Sequence, residues 1–375
     1  MTTSLTKRDN PGGSVLPDYD QTEIWSVACS RQSPLINGFV PPVVMIKSMA
    51  KMLNSSRRPA RRWSMLLALT ALLGTAAPVA VEASGAPKGS VPCPAYLSGM
   101  KLLKIGFKWT EGPAWDPKAQ RWIFSDLMGE TEYGITTSGQ LTALRQPAGY
   151  PNGHALLPDG RFVVAQHDRT LGIVNGDGTG FRVIAATYQG KKLNSPNDVA
   201  VAKNGDIYFT DPTFGLEGYG PVKAAPDLSF KGVYRVRNGN LTVINDSLKV
   251  PNGIGLNPSQ SLLYVSDTSN NTIYTINLAE YNGKPLPAKP LFVFQQIKGG
   301  HVAANASDGL RVDRDGNIWA TGPGGIGVFT PQGKSVCSIP FPDHVANLAP
   351  GGANNTNILV TTADKIYLLN LKKPF

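Results

Sequence analysis

Residues 193–216, LNSPNDVAVAKNGDIYFTDPTFGL, carry the hydrophobic pattern on which the chain is built. Val199 and Val201, then Ile207 and Phe209, alternate with other side chains as two short strands do. Asn204-Gly205-Asp206 lies between them and predicts a tight hairpin, because Asn-Gly tolerates the left-handed backbone of such a turn. In an antiparallel hairpin the residue entering the first strand lies beside the residue leaving the second. Ser195-Pro-Asn-Asp198 and Thr210-Asp211 are therefore expected together on one rim.

The same unit returns six times. Its leading segments are Glu111-Gly-Pro-Ala-Trp115, Pro151-Asn-Gly-His-Ala155, Pro196-Asn-Asp-Val-Ala200, Pro251-Asn-Gly-Ile-Gly255, Ser307-Asp-Gly-Leu-Arg311 and Ala346-Asn-Leu-Ala-Pro350. From Glu111 through Asn152, Asn197, Asn252 and Asp308 to Asn347 the steps are 41, 45, 55, 56 and 39 residues. Second strands are expected over residues 122–126, 162–166, 207–211, 263–267, 318–321 and 358–362. In the third unit, residues 232–236 and 241–244 predict two more strands. A repeat of this length predicts an all-β, six-bladed β-propeller of four-stranded blades. The 40 glycines, 30 prolines and 17% charged residues suit such a turn-rich sheet protein. The six blades take up nearly all of residues 95–375, within a catalytic domain over residues 84–375, and residues 100–105 are expected as an outer strand of the last blade.

Residues 1–44 lack periodicity and read as a disordered leader or an upstream-start extension. Residues 45–83 have the layout of a signal peptide: Arg57, Arg58, Arg61 and Arg62, an apolar run over residues 65–73, then small residues to Ala83. An exported protein, periplasmic or secreted, is expected, with a retained anchor as the alternative. The formal charge of +10 includes this segment. Without a basic stripe, the chain is expected to bind no nucleic acid, and no membrane after cleavage. The three cysteines form no C-x-x-C pair. After cleavage Cys93 and Cys337 remain, either as a disulfide that locks the ring or as two unrelated buried thiols.

In a propeller the rim residues converge on one end of the central channel. Glu111, Asn197, Asn252 and Asp308 then offer two carboxylates and two amide oxygens. This is a hard oxygen set suited to Ca2+, with Mg2+, Mn2+ or Zn2+ as alternatives. Turn chemistry is the competing explanation, and it suits Asn152 and Asn347. Asp126, Asp211 and Asp267 end second strands on the same rim and read as strand-end turn residues, and Asp198 as a loop support. His167, after Gln166, breaks their pattern and is the candidate for substrate binding or proton transfer, ahead of His154, His301 and His344. No G-x-S-x-G elbow and no H-E-x-x-H occurs. Gly322-Pro-Gly-Gly-Ile-Gly327 falls between strands rather than before a helix and reads as a hairpin turn.

Over residues 95–375 the ordered motifs resemble the gluconolactonase/regucalcin/LRE-like family of six-bladed propellers. They are Glu-Gly-Pro-Ala-Trp, Ser-Pro-Asn-Asp-Val-Ala-Val with Tyr-Phe-Thr-Asp-Pro, Pro-Asn-Gly-Ile with Leu-Tyr-Val-Ser-Asp, and Asp-Gly-Leu-Arg-Val-Asp. The second is closest to bacterial gluconolactonases. Ser195 stands where regucalcin-like enzymes carry an arginine. The resemblance implies that Glu111, Asn197, Asn252 and Asp308 bind a divalent metal and that Asp308 also acts as general base. The implied activity is a metal-dependent lactonase opening a sugar lactone, a small-molecule substrate; separately, a monomer is expected. Alternatives are an aryl esterase or organophosphate hydrolase on the same metal site, or a non-catalytic ligand-binding propeller. Residues 212–227 and 281–306 are the loops expected to set specificity.

Overall fold

The structure, a computed structural model, describes Cys93, residues 95–301 and residues 306–375. The leader and signal-peptide expectations for residues 1–83 lie outside the described residues.

Six four-stranded antiparallel sheets make a six-bladed β-propeller. Blade one is Thr110–Asp116, Arg121–Asp126, Thr131–Ile135 and Leu141–Arg145. Blade two is Pro151–Leu156, Phe162–Gln166, Thr170–Val174 and Arg182–Ala185. Blade three is Val199–Val201, Ile207–Asp211, Gly232–Arg237 and Asn240–Asn245. Blade four is Pro251–Leu256, Leu262–Asp267, Thr272–Asn277 and Lys289–Val293. Blade five is Leu310–Val312, Ile318–Gly322, Gly325–Phe329 and Ser335–Pro340. Blade six joins Val345–Gly351, Asn357–Thr362 and Lys365–Leu371 to Leu97–Ile105 from the other end of the ring.

The expected second strands fall within a residue of the observed ones. The founding hairpin pairs as read, Val199 with Phe209 and Val201 with Ile207. Its turn is wider than the two-residue form. Ala202 N donates to Asp206 O at 2.8 Å, and Gly205 takes the positive φ, +86°, while Asn204 does not. A one-turn helix, Phe214–Glu217, falls in a stretch read as a loop, and a short hairpin pairs Thr187–Tyr188 with Lys191–Lys192.

Inner strands are buried on both faces, so they read as unbroken apolar runs; Phe162, Val163, Val164 and Ala165 are all 0% exposed. Apolar clusters fill the joints between blades. Trp122 and Phe124 pack with Leu359 and Leu368 between blades one and six. Val163 and Leu171 pack with Phe209 and Tyr234 between blades two and three.

The ring closes twice. Leu97–Ile105 pairs antiparallel with Lys365–Leu371, as Met100 with Leu369 and Leu102 with Tyr367. Cys93, just ahead of that strand, is disulfide-bonded to Cys337 of blade five, with Cα atoms 5.2 Å apart and a sequence separation of 244. The alternative of two separate thiols falls away.

Candidate metal centre at the channel mouth

Glu111 and Asn252 sit in the innermost strands of blades one and four. Asn197 and Asp308 stand just ahead of those of blades three and five. All four are buried, 4–9% exposed. Their backbone is held from the neighbouring blade. Thr210 Oγ1 donates to Asn252 O at 2.6 Å, Ser266 Oγ to Asp308 O at 2.6 Å, and Ser125 Oγ to Asn152 O at 2.7 Å. Gly153 N donates to Asn197 O at 2.8 Å. The strands approach so closely that glycine is required after two rim residues. A Cβ on Gly253 would lie 2.2 Å from Asp308 O, and one on Gly112 2.1 Å from Asn152 O.

The carboxylates that end the second strands work behind this ring. Asp126 accepts from Lys108 N and Trp109 N at 3.0 and 2.9 Å. Asp211 accepts from Asn194 N and Ser195 N at 2.9 and 2.8 Å, and Asp267 from Lys249 N and Val250 N at 2.8 and 3.2 Å. Each thus clamps the backbone two and three residues ahead of its blade's rim residue. The turn reading of these aspartates becomes something more particular.

The fold brings Glu111 and Asp308 within electrostatic reach of each other across 197 positions of sequence. Burial first, then the facing Asp308 carboxylate, push the Glu111 carboxyl well above its usual range. Burial and the nearby Asp198 do the same to Asp308, against a hydrogen bond from Asn252. Carboxylates forced together away from water call for a cation. Asn252 Oδ1 is buried and has no hydrogen-bond partner, as a ligand oxygen awaiting a cation would be. The chemistry and the unmet oxygen both fit a hard divalent cation. Among the described residues no three His, Cys, Asp or Glu side chains cluster as a metal site; this donor set is half amide.

Other residues complete the mouth. His344 Nε2 is 3.6 Å from Asp308 Oδ2. The His344 ring lies 5.6 Å from Trp109, which meets Tyr219 edge-on at 5.7 Å. This aromatic wall went unread in the sequence, although Trp109 stands two residues before Glu111. Ser195 Oγ is committed to its own loop, donating to Pro212 O at 2.7 Å and accepting from Gly215 N at 3.0 Å.

His167 is 2% exposed. Its Nδ1 is 2.8 Å from Tyr219 O and its Nε2 3.0 Å from Asn152 Nδ2. Burial pushes its pKa down to about 4, against the hydrogen bond to Tyr219, so the ring is neutral at neutral pH. Both nitrogens are engaged by protein atoms, which leaves neither open to the expected substrate contact or proton transfer in this arrangement. Of the other histidines, His154 donates from Nδ1 to Gly112 O at 3.0 Å and sets Nε2 3.3 Å from Glu132. The turn reading of Asn152 and Asn347 is also corrected, since both are 1% exposed within inner strands.

Below the mouth the channel is plugged. Asp198, 0% exposed, accepts from Arg311 Nη1 at 3.1 Å and from Asn347 Nδ2 at 3.4 Å. Arg311 also donates to Leu310 O at 2.7 Å and reaches Pro113 O at 3.4 Å, so one side chain spans to blades one and three. Beyond it, at the opposite end, lies a cavity of about 610 Å3 lined by Pro113, His154, Val201, Asn257 and Arg311.

Residues 109–364 match the family described as SMP-30/Gluconolactonase/LRE-like region. A gluconolactonase of Zymomonas mobilis is 30% identical over 253 residues, covering 63% of this chain and 70% of that protein. The structure of a gluconolactonase from Xanthomonas campestris superposes with a TM-score of 0.65 at 30% identity, over 74% of this chain and 91% of the other. Regucalcin from Agrobacterium tumefaciens, a calcium-binding protein, shares the fold with a TM-score of 0.61 at 18% identity, over 74% and 96%. Family match, sequence likeness and fold agree: the chain belongs to the SMP-30/gluconolactonase/LRE-like family.

Proposed function

We propose that the protein is an exported, monomeric hydrolase that opens a sugar lactone with the help of a divalent cation, Ca2+ before Mg2+, Mn2+ or Zn2+. One observation carries the reading. Glu111 and Asp308 face each other in a buried mouth beside an unpartnered Asn252 oxygen, in a chain whose relatives include gluconolactonases.

Glu111, Asn197, Asn252 and Asp308 would hold the cation, which would supply Lewis acidity toward a lactone carbonyl. Asp308 retains some solvent contact, its side chain 13% exposed, and is the group to take a proton from the attacking water. Trp109, Tyr219 and His344 wall the mouth and hold the substrate ring against the carboxylates. Export is supported by the Cys93–Cys337 disulfide, a bond that persists in oxidising compartments.

A second reading, hydrolysis of an aryl ester, is favoured by the same Trp109–Tyr219 wall, which would stack an aromatic leaving group. Proton release from the purified protein with a panel of sugar lactones and aryl esters, with and without chelator, separates the two. Hydrolysis of lactones that stops on chelation is expected. Activity indifferent to chelation would sink the metal-assisted reading, and activity on aryl esters alone would favour the second.

A further inference from the structure

Blade two repeats the arrangement of Asn252. Asn152 and Asn252 each follow a proline in the innermost strand, at the same break in register. Pairing passes from Pro151 with Gln166 to His154 with Val164, and from Pro251 with Asp267 to Ile254 with Val265. Each amide engages the residue just past its blade's second strand. Asn252 Nδ2 donates to Thr268 Oγ1 at 3.0 Å, and Asn152 Nδ2 lies 3.0 Å from His167 Nε2.

Those partners are themselves committed. Thr268 Oγ1 donates to Ser307 O at 2.8 Å, and His167 Nδ1 lies 2.8 Å from Tyr219 O. A carbonyl oxygen only accepts, so the threonine hydrogen and the single N–H of the neutral imidazole are both spent there. The atom that each partner turns to its asparagine must be an acceptor. The amide nitrogen must face it, and the flipped amide is excluded in both blades. The outcome is the same from two different chemistries: Asn152 Oδ1, like Asn252 Oδ1, is buried without a hydrogen-bond partner. Asn347 in blade six differs, because its Oδ1 accepts from Leu348 N at 2.9 Å and its Nδ2 is given to Asp198.

We propose that Asn152 Oδ1 is a further oxygen turned to the cation at the channel mouth, directly or through the cation's water shell, and that His167 holds it there. The inference rests on the reading of that mouth as a cation site. Ca2+ takes six to eight oxygens, more than four monodentate side chains provide, and a buried acceptor left unmet is costly. It also gives His167 a role that its sealed ring nitrogens allow.

Calcium titration of the full-length protein by calorimetry, with the calcium-dependent rise in Tm as a second readout, tests the assignment. Asn252→Leu serves as the benchmark for the site. Asn152→Leu is expected to lower the affinity roughly tenfold, the scale of a lost supporting oxygen. His167→Phe, which removes the acceptor and frees the amide to turn, is expected to lower it too. His167→Gln, which can accept from Asn152 and donate to Tyr219 O, is expected to keep it. Unchanged affinity in folded Asn152→Leu, while Asn252→Leu loses it, overturns this inference alone. Absence of divalent-cation binding by the unaltered protein overturns the cation reading and the inference with it. If Asn152→Leu does not fold, Asn152→Ser is read against the same two outcomes.

Discussion

Ser266 donates its hydroxyl hydrogen to the backbone carbonyl of Asp308 at 2.6 Å while accepting from Gly253 N at 2.8 Å. One buried side chain thereby ties the fourth blade to the rim residue of the fifth. Ser266→Ala leaves that carbonyl with Gly253 N, 3.1 Å away, as its donor and is expected to cost about 0.5–1.5 kcal/mol of stability. Gly253→Ala acts differently, because its new Cβ would sit 2.2 Å from Asp308 O and must move it. It is expected to weaken calcium binding more than it lowers Tm. Melting curves and calcium titrations of both variants check the pair, and an unchanged calcium affinity in Gly253→Ala would refute the close-approach argument.

The Arg311–Asp198 pair yields a second prediction. Asp198 is fully buried and lies close enough to Glu111 and Asp308 to push both carboxyls upward. Arg311→Met removes its compensating charge while keeping an apolar stem in the channel. Breaking a buried pair from one side costs about 3–5 kcal/mol. Tm measured in chelator is expected to fall accordingly, and saturating calcium to restore part of the loss by offsetting the exposed repulsion. An equal fall with and without calcium would separate the plug from the mouth.

These relationships mark where sequence reading succeeds and where it stops. The blade count and strand bounds were legible because inner strands are buried on both faces and each unit repeats its apolar run, as in Phe162–Gln166 and Ile207–Asp211. Glu111 stood out because no turn asks for it. Asn152 did not, because Asn-Gly satisfies a turn rule locally, and its real partner, His167, is oriented by Tyr219, 52 residues further on. Arg311 left a usable signal: its counterparts three residues past the other rim residues are Ala114, Ala155, Ala200, Gly255 and Pro350. One charged side chain among five small ones fills the space that they leave in the channel. Asp126, Asp211 and Asp267 were placed on the correct rim, but the direction of their carboxylates follows from strand twist and pairing, which periodicity does not encode.

The disulfide gives a third prediction. Cys93 and Cys337 close a ring already joined by hydrogen bonds between Leu97–Ile105 and Lys365–Leu371. Replacing both by serine is expected to lower stability by about 2–5 kcal/mol without changing the fold. Thiol counting on denatured, exported protein is expected to find neither cysteine reactive until a reductant is added. Two reactive thiols without reductant would overturn both the bond and the compartment inferred from it.

Glu132 contributes to the acid limb of stability. It is 1% exposed, and Arg145 grips it with Nε to Oε2 at 3.0 Å and Nη2 to Oε1 at 2.6 Å, while His154 Nε2 stands 3.3 Å away. Burial acts to raise its pKa, but the nearby His154 and the grip of Arg145 together outweigh it and hold the carboxyl below its ordinary 4.5. A carboxylate whose folded pKa is depressed contributes stability that is present above the unfolded value and lost as pH falls through the folded one. Glu132→Gln keeps the shape but leaves Arg145 without its counter-charge, so the variant is expected to be less stable at pH 7. The gap in Tm between the two proteins is then expected to hold down to about pH 4.5, the ordinary glutamate value, and to narrow below it. Melting both across that range decides the matter, since a gap that stays constant as acid is added means that Glu132 is not ionised in the folded protein.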